Sequence, residues 1–81
     1  MRIELKLFAT LRQYLPAGSE GGRANLTVDD GLTIGGLLDM LKIPQPLAQM
    51  TLINGLSIEG DFNRKLKDGD VVSIFPPIAG G

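Results

Sequence analysis

An α+β fold, a mixed sheet with one main helix packed on one face, is predicted by three observations. Two early segments, residues 2–8 and 23–28, alternate apolar and polar side chains, the period of a half-buried strand. Only one stretch, residues 33–42, carries apolar residues at sustained helical spacing. The segment 71–75 is nearly all apolar, as a central strand is. At 81 residues the chain forms one domain, so a single helical stripe must cover one face of a single sheet.

The elements follow in order. In 2–8, Ile3, Leu5 and Leu7 point one way, and Arg2, Glu4, Lys6 and Phe8 the other. Phe8 interrupts the polar face, either because the next loop covers it or because it belongs to an exposed apolar patch. Residues 9–15 predict a short helix, with Leu11, Tyr14 and Leu15 at i, i+3 and i+4, stopped by Pro16. Residues 17–22 form a glycine-rich loop. It lacks the Gly-Lys-Ser/Thr ending of a phosphate loop, so a nucleotide site is not expected there. Residues 23–28 form a second strand, and Asp29-Asp30-Gly31 a turn, giving a hairpin with a long connection. The Asp pair has no third ligand nearby and reads as a solvated turn. In 33–42, Ile34, Leu37, Leu38 and Leu41 make the core-facing stripe, Thr33 is the N-cap, and Pro44 prevents continuation. Gly35-Gly36 in the first turn costs roughly 1 kcal/mol per glycine, which close backbone packing would explain. Residues 45–49 are an irregular connection. Residues 50–54 form a short strand closed by the turn dipeptide Asn54-Gly55. Residues 58–62 read equally as strand or loop. Asp68-Gly69 is a further turn before the last strand. This order describes a β-grasp, a ubiquitin-like roll, over residues 1–75, followed by a flexible Gly-Gly tail at 76–81. If the first and last strands pair in parallel, Phe8 and Phe75 sit at one end of the sheet, on the face away from the helix.

Composition excludes more than it selects. Hydrophobic residues make up 43%, enough for a core, and 21% charge is too little for a disordered chain. A net charge of −1 leaves no footprint for nucleic acid. No apolar run approaches the ~20 residues of a membrane span, and Met1-Arg2-Ile3-Glu4 lacks the apolar core of a signal peptide, so a cytoplasmic protein is expected. There is no Cys, His or Trp. Zinc sites built on thiolate or imidazole, a Cys nucleophile and a His base are therefore excluded, as are disulfides. Chemistry is left to carboxylates, hydroxyls, lysines or the chain terminus.

The terminal segment Phe75-Pro76-Pro77-Ile78-Ala79-Gly80-Gly81 is unusual for its lack of charge and its stiff, then featureless, character. Pro76 and Pro77 donate no hydrogen bond, so they end strand pairing and hold the chain extended. Six residues beyond Phe75 reach at most ~20 Å. Leu7-Phe8-Ala9-x-Leu11-Arg12, Ile53-Asn54-Gly55, and Leu66-x-Asp68-Gly69-Asp70-x-Val72 leading into Phe75-Pro76-Pro77-x-x-Gly80-Gly81 resemble the MoaD/ThiS family of ubiquitin-like sulfur carriers. Within it the most similar are the small subunits of molybdopterin synthase, which characteristically show Phe-Pro-Pro before Gly-Gly. The double glycine in the helix and the loop 57–64 depart from the pattern.

The resemblance implies a sulfur-carrier co-substrate, or non-catalytic small subunit, rather than an enzyme. A ubiquitin-activating-type adenylating enzyme would spend ATP on the Gly81 carboxylate, and a sulfur donor would convert the adenylate to a thiocarboxylate. No cofactor would be bound stably. The tail would then enter the molybdopterin synthase large subunit and give its sulfur to the pterin dithiolene of the molybdenum or tungsten cofactor. Alternatives are sulfur transfer to the thiamin thiazole, amide conjugation of Gly81 to protein lysines, and a plain binding module with an inert tail. The residue chemistry agrees with activation. An α-carboxylate is an anion at neutral pH and a poor electrophile until it carries a leaving group, and any side chain at Gly80 or Gly81 would crowd the sites that act on it. For partner contacts the expectation is an apolar patch of Phe8, Phe75 and Leu56 or Ile58, continued by Pro76 and Pro77. Arg64, Lys65 and Lys67 would form an electrostatic rim for an acidic partner.

Overall fold

A computed structural model describes residues 1–77. Ile78, Ala79, Gly80 and Gly81, most of the expected tail and both of its glycines, lie outside the described residues. The strands are β1 (Arg2–Leu7), β2 (Arg23–Thr27), β3 (Met50–Ile53), β4 (Leu56–Ser57) and β5 (Val71–Phe75); the helix α1 is Ile34–Leu41. They form one mixed sheet in the order β2-β1-β5-β3-β4. β1 pairs antiparallel with β2 and parallel with β5, and β3 pairs antiparallel with both β5 and β4. This is the β-grasp arrangement expected, with one main helix on one face. Among the described residues no helix is long and apolar enough to cross a membrane, and no cluster of acidic side chains could hold a metal ion.

Alternation decides which face is buried. Ile3, Leu5 and Leu7 of β1, Val72 and Ile74 of β5, and Thr51 and Ile53 of β3 all face the helix and are closed off from solvent. Ile34, Leu37 and Leu38 of α1 meet them, also fully buried, with Leu41 packed at the margin. Thr51, the polar member of this inner set, donates its hydroxyl to the Ala48 carbonyl at 2.6 Å, so it carries no unmet bond into the core.

The helix starts and stops for identifiable reasons. Thr33 is extended, and its hydroxyl accepts the Gly36 N–H at 3.1 Å. Two further first-turn donors, which have no partner inside a helix, are met by a neighbouring loop. Ile34 N–H donates to the Arg64 carbonyl at 3.0 Å and Gly35 N–H to the Phe62 carbonyl at 2.8 Å. That approach explains the first glycine, because a Cβ on Gly35 would stand 3.2 Å from the Phe62 carbonyl oxygen. The helix ends at Lys42 in the left-handed conformation, φ 63°.

The sequence expectations need four adjustments. Residues 9–15 form not an α-helix but a 3₁₀ segment, Ala9–Tyr14, that starts from a left-handed Ala9 (φ 53°) and buries only Leu11. Six residues are too few to sustain an α-helix against Pro16. The connection after α1 also contains a 3₁₀ turn, Gln45–Ala48. The strand at 50–54 ends at Ile53, since Asn54 (φ 52°) and Gly55 (φ 84°) are both left-handed, the type I′ geometry of a tight hairpin. Its partner β4 is only two residues long, and the ambiguous 58–62 stretch is turns.

A side-chain clip fastens that hairpin to β5. The Asp70 carboxylate accepts Asn54 Nδ2 at 2.9 Å and Lys67 N–H at 2.8 Å, while Asn54 Oδ1 accepts Val71 N–H at 2.9 Å. Asp68 accepts Arg2 N–H at 2.8 Å. The Asp68-Gly69-Asp70 turn thus ties the start of β5 to both β1 and the β3–β4 hairpin. β5 thereby runs beside β1 with its C-terminal end, and the tail it leads into, at the end of the sheet where β1 finishes.

Candidate functional site

Parallel pairing of β1 and β5 matches Leu7 with Ile74, so the residue after each pair, Phe8 and Phe75, lies at one sheet end. Phe8 N–H donates to the Ile74 carbonyl at 3.2 Å, extending the ladder by one step. By alternation both rings stand on the face away from α1. They stack, with centroids 4.2 Å apart and planes 8° from parallel. Each is half-buried. Met50 is the register partner of Phe75 on β3 and is 56% exposed. Phe8, Phe75 and Met50 therefore make an apolar band three strands wide on the open face. Pro76, half-buried, and Pro77, exposed, leave directly from it. Apolar surface of this kind, grouped rather than scattered, is a candidate contact site.

Not all the expected contact residues join this band. Ile58 is 4% exposed and belongs to the core, where its N–H also bonds the Thr51 carbonyl. The turn after β4 folds back under the sheet and takes Ile58 with it. Leu56 is 74% exposed, but it pairs with Ile53, at the other end of β3 from Met50. It is an isolated exposed leucine. Arg64, Lys65 and Lys67 are exposed but do not rim the aromatic pair. Lys65 bridges to Thr33 before α1, and the following turn bonds to Arg2 at the start of β1, whereas the aromatic pair is at the finish of β1 and β5. The length of β1, six residues or roughly 20 Å, separates the two ends. Gly80 and Gly81 lie outside the described residues.

Met50 was not singled out in the sequence because its strand is short. Its position two residues before Leu52 on an outward face is the only signal it carries. Beside Phe8 a cavity of about 220 Å³ is lined by Lys6, Leu7, Arg12, Gly21, Gly22 and Arg23 as well. A larger space of about 440 Å³ lies between the 16–20 loop and β2 and is lined by mixed groups, among them Glu4, Ser19, Glu20 and Arg23. The grouped apolar surface beside Pro76 and Pro77 is suited to contact with a partner. Among the described residues it offers no metal cage.

Comparison with known proteins agrees with this geometry. The family model described as the ThiS family matches residues 5–81. The curated small archaeal modifier protein 3 of Haloferax volcanii is 32% identical over 96 aligned residues, which cover all of both chains. The solution structure of the Haloferax volcanii HVO 2177 protein is similar, with a TM-score of 0.75, 32% identity, and coverage of 100% of this chain and 87% of that one. The structure of a complex of subunits 1 and 2 of a molybdopterin-converting factor from Helicobacter pylori contains a chain of the same fold. Its TM-score is 0.61 at 24% identity, with both chains fully covered. Given a family match over nearly the whole chain and 32% identity to a full-length relative, this chain belongs to the ThiS family of ubiquitin-like sulfur carriers and modifiers.

Proposed function

We propose that this protein carries sulfur as a C-terminal thiocarboxylate on Gly81 and delivers it for dithiolene formation on a pterin, as the small subunit of a molybdopterin synthase-type complex. The observation that carries the reading is the β1–β5 pairing, which sets the Phe75-Pro76-Pro77 exit beside a stacked aromatic pair on an uncovered sheet face. A partner that grips this band has the tail aimed into it. In the activating step, a carboxylate oxygen of Gly81 attacks the α-phosphorus of ATP and pyrophosphate leaves. Hydrosulfide then adds to the acyl carbon, the C–O bond to AMP breaks, and one proton is released with AMP. The carrier itself supplies only the carboxylate and the handle. The globular body stays outside the partner's pocket, since six residues beyond Phe75 span up to ~20 Å. The Phe-Pro-Pro exit favours a pterin over the thiamin thiazole as acceptor. In the Helicobacter protein of the same fold, subunit 1 is in complex with a second subunit, which fits a two-subunit assembly.

The test is intact-mass spectrometry after incubation with a ubiquitin-activating-type enzyme of the source organism, ATP and sulfide. A gain equal to the mass of sulfur over oxygen at the C-terminal peptide is the expected result. An unchanged mass, with the same enzyme shown to act on another carrier, overturns the reading.

A second reading has its own support, because a relative 32% identical over its whole length is named a modifier protein. Activation would then end in an amide bond between Gly81 and a lysine. Higher-mass conjugates in cell extracts that vanish when Gly81 is deleted would establish it.

A further inference from the structure

Three of the eight cationic side chains gather beside the aromatic pair. Lys6 is two positions before Phe8 on the outer face of β1, Arg23 is its register partner on β2, and Arg12 comes in from the 3₁₀ segment. With Phe8 they line the cavity of about 220 Å³, and no carboxylate does. Among the described residues the one ion pair is between the Met1 amine and Asp30, so none of the three is neutralised by a partner within 4.0 Å.

The arrangement costs the fold something. Lys6 and Arg23 stand directly opposite each other across an antiparallel pair, where like charges destabilise. Arg12 lies against the backbone at Gly22. A Cβ there would come within 3.1 Å of both Arg12 Nε and the Leu7 carbonyl oxygen, so glycine is what leaves room for the guanidinium. The basic character is also local, because the whole chain carries a net charge of −1.

We propose that Lys6, Arg12 and Arg23 bind a carboxylate-bearing segment of the protein that receives the tail, and so form the electrostatic half of the docking surface. This rests on the reading of the Phe8–Phe75 band as the face that partners grip. The two halves divide the work: the aromatic band supplies apolar area, and the cations supply register and steering. Arg12, with a planar fork of donors, suits a carboxylate in two-point contact. A nucleic-acid strand fits less well. It needs a continuous basic track, and here Glu4 precedes Lys6 on the same face while Glu20 bridges to Arg23.

The test uses the intact chain, ¹⁵N-labelled, titrated with a hexaglutamate peptide. A hexaglutamine peptide is the neutral control, and an oligouridylate of equal charge tests for nucleic acid. The largest amide shifts are expected at Lys6, Phe8, Arg12, Gly22 and Arg23, shrinking as salt is raised. Lys6→Gln with Arg12→Gln should weaken the peptide about fivefold to tenfold. Lys65→Gln with Lys67→Gln, at the other end of the sheet, should leave it unchanged. Spectra of both variants report whether the fold is kept; if the Lys6/Arg12 variant unfolds, Arg23→Gln alone replaces it. Shifts centred on residues 64–67, no shifts, or tighter binding of the oligouridylate each overturn the proposal. No activating enzyme enters this titration, so its outcome is separate from that of the thiocarboxylate assay.

Discussion

Gly35 and Gly36 sit side by side in the first turn of α1, and each is glycine for a different reason. A helix interior prefers alanine over glycine by about 1 kcal/mol, so a neutral site would gain from the change. At Gly35 the obstacle is the Phe62 carbonyl oxygen, 3.2 Å from where Cβ would be and fixed there by the hydrogen bond it accepts from Gly35 itself. At Gly36 the obstacle is Leu32 Cδ1, at 2.7 Å, which is the end of a rotatable side chain. Gly35→Ala is therefore expected to destabilise by about 1 kcal/mol, since the loop must retreat and stretch that bond. Gly36→Ala should change stability by less than about 0.5 kcal/mol in either direction, the helix gain offsetting the shift of Leu32. Urea unfolding midpoints of the two variants check the contrast, and equal effects would contradict the assignment. The same pair shows a limit of sequence reading. Its cost could be computed from propensity, but its cause is a carbonyl that lies more than twenty-five positions away in the chain.

The clip between the β3–β4 hairpin and β5 shows how single residues hold whole elements. Asp70 accepts two hydrogen bonds, from Asn54 Nδ2 and Lys67 N–H, and is nearly buried. Asp70→Ala leaves both donors short of a partner and should cost about 2–3 kcal/mol, read as a lower urea midpoint with an unchanged slope. Asn54-Gly55 and Asp68-Gly69 are legible in the sequence as turns, and the turns are there; the bonds between Asn54 and Asp70 are not legible, because turn chemistry is local and the clip is not. The same boundary runs through the site. Alternation in β1 and β5, plus a parallel pairing, was enough to bring Phe8 and Phe75 together. Ile58 was misplaced because 58–62 has neither period 2 nor period 3.6, so nothing in the pattern says which way it faces. Lys65 and Lys67 drew attention by being close in sequence. Lys6, Arg12 and Arg23 are scattered over three elements and meet only once the hairpin register is known, which a long connection does not reveal. The aromatic pair itself gives a prediction at this scale. Phe75→Ala removes a half-exposed ring, so it should lower stability by only about 1–2 kcal/mol. Under the sulfur-carrier reading it should weaken binding of the activating enzyme by more than about tenfold, since exposed aromatic anchors dominate such contacts. Calorimetric titration beside an unfolding curve separates the two, and unchanged affinity in a destabilised protein would assign Phe75 to the core instead.

At the scale of the whole molecule, the sulfur-carrier reading puts stability and chemistry in different parts of the chain. Among the described residues, every hydrophobic residue buried in the core precedes Phe75, the last of them being Ile74. The body has no Cys and no His, so under that reading the reactive group is the Gly81 carboxylate. Under the sulfur-carrier reading this separation has a sharp consequence. Deleting Gly80 and Gly81 should leave the urea midpoint within experimental error, because no buried contact among the described residues is lost. It should also leave the affinity for the activating enzyme within about threefold, because the apolar band and the neighbouring cations remain. Thiocarboxylate formation, however, should be lost, because the new terminus at Ala79 is two residues short, and a misplacement of even ~1 Å can cost about a hundredfold in rate. With cellular role and high-mass conjugates measured beside these three, the truncated chain discriminates among the functions open to a β-grasp domain. A truncated chain that binds, folds and no longer accepts sulfur behaves as a carrier. One that keeps its cellular role after the deletion is a binding module whose tail is inert, and one that loses only high-mass conjugates is a modifier.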